Sequence, residues 1–204
     1  MPVRNRLRAE KLRGGFIIGS EIIVLEQTQS TNDVIAQMAA GDWPEGFCVF
    51  AERQIAGRGQ RGKEWESAAG KGLWFSILLR PKIDIKESAR LTSWVAETIA
   101  QTLQDEFDLS TAVKPPNDIY VGDRKIAGVL VEMRAQPGAP HVAVVGIGLN
   151  VNHTPGDFSE ELRERATSIA IVRRSGLDRN ILALALLRDL DRTYAERFAS
   201  RTEL

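Results

Sequence analysis

Apolar residues recur at helical spacing in two long segments of the chain. In segment 86–107, Leu91, Val95, Ile99 and Leu103 are four residues apart, and this is the spacing of one face of an α-helix. A second face of this kind begins near residue 178 and consists of Leu182, Leu186, Leu190, Tyr194 and Phe198. Both segments are therefore predicted to be amphipathic helices.

Elsewhere the apolar residues form short runs that lack helical spacing. Runs of this length, flanked by glycine, proline or asparagine, are typical of strands. They occupy segments 16–27, 46–52, 72–81, 111–114, 119–121, 124–135 and 141–152. The turn Gly122-Asp123 predicts a hairpin, and Ser30 is a candidate N-cap for a short helix over 30–41. Because hairpins join some strands and helices join others, we predict an α+β domain with a mixed, largely antiparallel sheet flanked by helices.

Length and charge limit the classes of function. The 204 residues suffice for a single domain with a substantial core. Lys plus Arg equal Asp plus Glu at 27 each, so no global charge favours nucleic acid or an anionic membrane. No stretch approaches the ~20 apolar residues of a membrane span, and no signal-peptide core follows the basic N-terminus. We expect a cytoplasmic protein that binds neither DNA nor membranes, with residues 1–15 as a peripheral basic segment.

The cysteine and histidine residues argue against several kinds of site. Cys48 is the single cysteine, which excludes an intramolecular disulfide and favours a role as a small core residue. His141 and His153 lack the spacing of metal ligands and have no cysteine companions, so a zinc site is not expected.

The stretch AGRGQRGKEW, residues 56–65, has the glycine spacing of a dinucleotide-binding fingerprint. That fingerprint must open a helix, whereas segment 63–79 contains another glycine turn followed by a strand pattern, so the dinucleotide interpretation is rejected. The loop still combines flexible backbone with Arg58, Arg61 and Lys63, which suits a phosphate. Trp65 offers a face for a base. The alternative is a solvated hairpin loop with surface cations.

Two further segments carry polar side chains at strand ends. In KPPNDIYVGDRKIAGVLVE, residues 114–132, prolines stiffen the loop before Asn117 and Asp118. Lys125 stands among apolar strand residues, where a lysine either extends to solvent or holds an anion. The segment GIGLNVN, residues 146–152, ends in two asparagines and is either a simple strand end or part of a site.

Together these segments resemble the biotin–protein ligase family. The resemblance rests on STND at 30–33, on the two segments just described, on AERQIAGRGQRGKEW at 51–65, on KGLWFSILLRP at 71–81 and on ATSI at 167–170. It implies a seven-stranded mixed sheet related to class II aminoacyl-tRNA synthetases. It also implies that biotin is activated by ATP and Mg²⁺ as biotinyl-5′-AMP and then transferred to a lysine of a biotin carboxyl carrier protein.

The resemblance assigns roles residue by residue. Lys125, Asp118 and Arg58 correspond to catalytic positions, and Asp118 also to a metal-binding one. The residues that correspond to biotin-binding positions are Ser30, Thr31, Asn32, Gln54, Gly57, Arg58, Gln60, Lys125, Gly128, Gly146 and Gly148. Those that correspond to ATP- and adenylate-binding positions are Arg58, Arg61, Lys63, Trp65, Asn117, Lys125 and Asn150.

The sequence departs from the family pattern at several points. Gln60 replaces an arginine that helps to close the loop over the adenylate, so we expect the intermediate to be held less tightly. Lys63 replaces an arginine, and Pro115 replaces a tryptophan. Neither an N-terminal DNA-binding domain nor an SH3-like C-terminal domain is recognised in residues 1–204.

Three functions therefore stay open at this point. A lipoate or octanoate ligase of the same fold is one alternative to the biotin ligase, and a non-catalytic biotin- or adenylate-binding protein is another. Family members often pair through their central sheets, so the resemblance also leaves a homodimer open.

Overall fold

A seven-stranded sheet forms the centre of the computed structural model, which describes residues 5–136 and 140–198. The strands are β1 (Ile22–Leu25), β2 (Cys48–Ala51), β3 (Gly72–Leu79), β4 (Thr111–Lys114), β5 (Asp118–Val121), β6 (Arg124–Arg134) and β7 (Val142–Asn150). Their order is β1-β2-β3-β7-β6-β5-β4. The pair β1–β2 is parallel and the other neighbouring pairs are antiparallel. The predicted mixed, largely antiparallel sheet is therefore confirmed.

Six α-helices accompany the sheet in the described part of the chain. They are α1 (Ala9–Leu12), α2 (Thr31–Met38), α3 (Ser88–Phe107), α4 (Glu160–Arg163), α5 (Ile169–Arg173) and α6 (Arg179–Arg197). The two predicted long helices are confirmed as α3 and α6. Helix α6 begins where the Asp178 side chain accepts a hydrogen bond from the Asn180 backbone N–H, and this satisfies one of the free donors of its first turn.

Helices cover both faces of the sheet. Helices α3 and α6 pack on one face over the main core, to which β3 contributes Leu73, Phe75 and Ile77. Helix α2 lies on the other face, where Ile35 packs with Leu78 of the same strand in a second cluster. Because β3 is buried on both faces, its sequence is apolar almost throughout instead of alternating.

The N-terminal part of the chain departs from two predictions. From residue 5 onward the expected peripheral segment is packed into the domain, because Leu7 and Leu12 are buried in the main core. The strand predicted over 16–27 begins only at Ile22. The backbone N–H groups of residues 16–18 donate to the Asp191 carboxylate at 2.7–2.9 Å, so a side chain satisfies them in place of a neighbouring strand.

The described residues contain no helix whose length and apolar character would allow it to cross a membrane.

Candidate active site

A cavity with about 440 Å³ of empty space, part of it open to solvent, lies where α2, the loop 56–65 and strands β6 and β7 meet. The side chains and backbone of the following residues line it: Ser30, Thr31, Asn32, Gln54, Arg58, Gly59, Gln60, Trp65, Asn117, Lys125, Gly128, Val129, Leu130, Gly146, Ile147 and Gly148.

Glycines on two paired strands form the floor of this cavity. Gly128 of β6 lies opposite Gly148 of β7 in the sheet register. A Cβ atom at Gly148 would lie 2.5 Å from the indole ring of Trp65, and one at Gly146 would lie 2.2 Å from Asn32 Oδ1. Side chains at these positions would therefore displace Trp65 and Asn32. Glycine is required here because these two side chains lie close to the backbone of β7, and not because the chain turns.

One end of the cavity is a buried network of neutral polar groups. The backbone N–H and the hydroxyl of Thr31 donate to Gln54 Oε1 at 2.8 and 3.1 Å. The Thr31 and Ser76 hydroxyl oxygens are 2.7 Å apart, and Ser76 donates to Asn32 Oδ1 at 2.6 Å. Ser30, Thr31, Asn32 and Ser76 are at most 4% exposed. Hydrogen bonds thus fix the side chains of Thr31, Asn32, Gln54 and Ser76 before any ligand arrives.

At the rim of this neutral end, Arg58 bridges two carboxylates on different elements. Its Nη1 contacts Asp33 of α2, and its Nη2 donates to Glu132 Oε2 of β6 at 2.9 Å. The hydrogen bond with Asp33 is the largest cause that raises the pKa of the Arg58 guanidinium. Ser30 precedes α2 as predicted but makes no capping hydrogen bond with its side chain.

The other end of the cavity carries a lysine that pairs with a carboxylate outside the lining. Lys125 Nζ lies 2.6 Å from Asp118 Oδ1 and 5.2 Å from the centre of the Trp65 ring. Residues 165–167 hold the Lys125 backbone, since Lys125 N–H donates to Arg165 O at 2.8 Å and Thr167 N–H donates to Lys125 O at 2.9 Å. Asp118 Oδ1 is buried, and its charged neighbour is the Lys125 ammonium group.

The glycine-containing loop 56–65, called the glycine loop below, is a small hairpin. Arg58 and Glu64 form an antiparallel bridge, and Trp65 N–H donates to Gly57 O at 2.8 Å. At the tip, Arg61 (φ 56°) and Gly62 (φ 73°) both have positive φ, as in the type I′ turn of a two-residue hairpin. A turn stands where a dinucleotide fingerprint would open a helix, which agrees with the rejection of that interpretation.

The sequence profile of the biotin/lipoate A/B protein ligase family matches residues 24–150, which include both ends of the cavity. The chain belongs to this family.

Individual members of the family agree with this assignment. The chain is 32% identical to the bifunctional ligase/repressor BirA of Bacillus subtilis over 94% of its own length and 60% of that protein. It is 33% identical to the biotin–[acetyl-CoA-carboxylase] ligase of Mycobacterium tuberculosis, over 93% and 70% of the two chains. The Aquifex aeolicus biotin protein ligase, solved with biotin and ATP, superposes with a TM-score of 0.73 at 28% sequence identity. The superposition covers 87% of this chain and 72% of the Aquifex chain. The chain thus spans about three fifths of the length of the BirA relative.

Most residues that the resemblance selected line the cavity, and five do not. Gly57 lies behind Trp65, where a Cβ atom would be 2.5 Å from the Trp65 carbonyl oxygen. Arg61 and Lys63 are exposed on the hairpin, and Asp118 is paired with Lys125. Asn150 is buried and its amide donates to Thr167 O at 3.1 Å. The roles of these residues stay predictions.

Sequence reasoning missed three residues of the polar network. Ser76 stands alone among the apolar residues of β3, and that interruption of a buried strand was the available signal. Asp33 lies within the STND segment at 30–33, where the resemblance gives it no role. Glu132 is the last residue of the motif at 114–132, and the resemblance gives it no role. In the described residues no group of three or more His, Cys, Asp or Glu side chains is placed to hold a metal ion, so a metal at Asp118 would need ligands from its substrate.

Proposed function

We propose that this chain is the catalytic domain of an ATP-dependent biotin–protein ligase. In the first step, an oxygen of the biotin carboxylate attacks the α-phosphate of ATP, and pyrophosphate leaves. In the second step, a lysine amine of a biotin carboxyl carrier protein attacks the carbonyl carbon of biotinyl-5′-AMP, loses a proton and releases AMP. The names of the relatives and the solved complex with biotin and ATP support this assignment.

The single observation that carries the proposal is the contrast between the two ends of the cavity. The end at Thr31, Asn32 and Gln54 is neutral and internally hydrogen-bonded, with Thr31 and Asn32 buried and Gln54 half-buried. Such a set of groups matches a neutral cyclic urea, which has both N–H donors and a carbonyl acceptor. The end at Lys125 carries an ammonium group paired with Asp118, and an ammonium group matches a carboxylate and a phosphate. A biotin molecule that spans the cavity would meet both requirements.

Lys125 is positioned to act on both reacting groups. A carboxylate and a polyphosphate repel one another, so a fixed cation between them lowers the barrier to their approach. The backbone bonds of Lys125 to Arg165 and Thr167 fix its Cα atom, and its ion pair with Asp118 directs its ammonium group. We assign the Trp65 face to adenine, and Arg61 and Lys63 to the phosphates.

Asp118 fits a role in binding Mg²⁺ and in the second step. Magnesium at nucleotide sites is usually held by one or two carboxylates together with phosphate oxygens and water, and Asp118, whose side chain is 26% exposed, would supply one such carboxylate. When bound, the ion would neutralise charge on the phosphates. The same carboxylate would orient the amine of the acceptor lysine and take its proton.

The activity is tested with the chain, MgATP, biotin and a biotin carboxyl carrier domain. We expect the carrier to gain the mass of one biotin less water, and biotin to stimulate exchange between pyrophosphate and ATP. Lys125→Ala should abolish both signals while the fold is retained. Lys82→Ala, which alters an exposed lysine after β3, is the matched control and should change neither.

Different outcomes separate the alternatives. Exchange that depends on lipoate or octanoate would favour the ligase of that substrate class. Biotin binding without exchange would favour a non-catalytic binding protein. Gln60 is the reason to test this outcome, because it lines the cavity where the family pattern has an arginine. The proposal includes a cytoplasmic location, where ATP and the carrier protein are available. A homodimer and the lack of DNA binding stay predictions.

A further inference from the structure

Glu132 lies at the rim of the cavity on the strand that forms its floor. Side chains two residues apart on a strand share a face, and Gly128 and Leu130 of β6 both line the cavity. Glu132 is the next residue on that face. Its side chain is 41% exposed, so it reaches the point where the buried polar network meets solvent.

One carboxylate oxygen of Glu132 serves two donors. Its Oε2 accepts from Asn32 Nδ2 at 2.7 Å and from Arg58 Nη2 at 2.9 Å. Asn32 belongs to α2 and Arg58 to the glycine loop. Glu132 therefore joins the helix and the loop to the floor strand at a single atom.

The contact with Asn32 fixes the direction of a buried amide. Asn32 Oδ1 accepts from Ser76, and this leaves the amide nitrogen to find an acceptor on its other side. Asn32 is only 4% exposed, so a lost acceptor would not be replaced freely by water and the amide would turn. That rotation would exchange a donor for an acceptor at the neutral end of the cavity.

The contact with Arg58 holds the base of the glycine loop. Both terminal nitrogens of the guanidinium are engaged, one by Asp33 and the other by Glu132. The same residue forms the first backbone bridge of the loop hairpin, with Glu64. A guanidinium held by two carboxylates does not have its planar fork free for a ligand anion, so its geometry suits anchoring rather than anion binding.

We propose that Glu132 is a positioning residue that couples the neutral end of the cavity to the glycine loop, acting through Asn32 and Arg58. This inference rests on the proposed function, since the ligand it positions is biotin. It also changes the assignment of Arg58, which becomes an anchor of the loop instead of a group that contacts the reacting atoms.

Three substitutions separate the two contacts. Glu132→Ala removes both. Glu132→Gln keeps a carbonyl acceptor for Asn32 but removes the charge that holds Arg58. Asp33→Asn removes the charge on the other arm of Arg58 and leaves Asn32 untouched. Glu97→Gln is the control, because Glu97 forms an exposed pair with Arg197 on the opposite side of the sheet.

Biotin binding without ATP is measured by calorimetry, and the release of biotinyl-5′-AMP by stopped flow. We expect Glu132→Ala to weaken biotin binding about tenfold to a hundredfold, because it leaves a buried amide unsatisfied. Glu132→Gln and Asp33→Asn should change biotin binding less than about threefold but should both speed release of the adenylate. Glu97→Gln should change neither. Similar biotin affinity and release in Glu132→Ala and the wild type would overturn the inference.

Trypsin provides a measurement that needs no ligand. Arg58, Arg61 and Lys63 are cleavage sites within the loop, and a held loop is cut slowly. We expect Asp33→Asn and both Glu132 variants to be cut faster there at an unchanged thermal midpoint. Unchanged cleavage in all three would contradict the coupling. Should the wild type not bind biotin, the proposed function fails, while the cleavage rates still decide whether Glu132 holds the loop.

Discussion

Two arginines join distant parts of this chain, and they do so in opposite environments. Arg179 at the start of α6 is fully buried, and its guanidinium donates to Glu52, to the Gly72 carbonyl and to the Asn5 carbonyl. Arg58 in the glycine loop bridges Asp33 and Glu132 with 40% of its side chain exposed. The first arginine holds together the sheet and its packed helices, which form the framework of the domain, and the second holds an exposed loop.

Solvent accounts for the difference between them. A buried guanidinium has lost its hydration, so each of its N–H donors needs a protein partner. Removal of either the guanidinium or one of its partners leaves a buried polar group without a hydrogen bond. An exposed pair exchanges readily with water and is weakened by salt. The framework thus has one arrangement, whereas the loop is held by contacts that exchange with water.

The largest predicted effect is the loss of the buried arginine. Arg179→Ala leaves the Glu52 carboxylate buried without its cation, although Leu7 N–H still donates to it. We expect a loss of about 3–5 kcal/mol in the free energy of unfolding, measured by urea denaturation. The matched control is Arg192→Ala, an exposed arginine of the same helix that pairs with Asp189 and Glu196; it should cost less than about 1 kcal/mol. A similar cost for both would mean that burial does not distinguish them.

Low pH should weaken the framework through His153. This side chain is 2% exposed, stacks on Phe158 and has no hydrogen-bond partner at Nδ1. Burial is the largest cause that lowers its pKa to about 4. The unfolded chain therefore binds a proton as pH falls below about 6.5, while the folded chain does so only near 4. Stability should fall across this interval by up to about 3 kcal/mol.

His153→Phe tests this pH dependence. Phenylalanine keeps a ring against Phe158 and cannot be protonated, so the loss of stability between pH 6.5 and 4 should become smaller. Lys71, Asp157 and Glu66 also face His153 and are present in both proteins. Parallel stability curves for the wild type and His153→Phe would show that other groups cause the acid sensitivity.

An intermediate effect is expected at the cavity floor. Gly148→Ala places a methyl group 2.5 Å from the Trp65 ring, so Trp65 must move. Overpacking typically costs about 1–3 kcal/mol, but Trp65 belongs to the loop and can shift with it. We therefore expect a cost near the lower limit together with a large loss of biotin affinity. Gly156→Ala, whose added methyl group meets only a side-chain oxygen at 4.0 Å, is the control for both measurements.

The same division between framework and loop explains what the sequence could predict. Local spacing predicted α3, α6 and the strands, because each buries a face whose period is visible in a short window. It failed at residues 16–18, whose N–H groups bind Asp191 more than 170 positions away. It also missed Glu132, because its partner Asn32 is 100 positions distant. Motifs located the cavity, but only the fold shows which charges meet at its rim.

The smallest predicted effect compares two glycines at hairpin tips. Gly62 (φ 73°) lies at the tip of the glycine loop, and Gly122 (φ 57°) lies in the turn that joins β5 to β6. At either position nothing lies within 4 Å of an added Cβ atom. Alanine at both sites therefore tests backbone conformation alone, which costs about 1 kcal/mol at positive φ. Gly122→Ala should show this full cost in urea unfolding, because its hairpin is part of the sheet. Gly62→Ala should cost less, since a loop held by exposed contacts can detach locally and avoid the strain. Equal costs at the two sites would mean that the glycine loop is as firmly fixed as the framework. Arg58 and Arg179 would then differ in exposure, but the loop that Arg58 holds would be no more mobile than the rest of the domain.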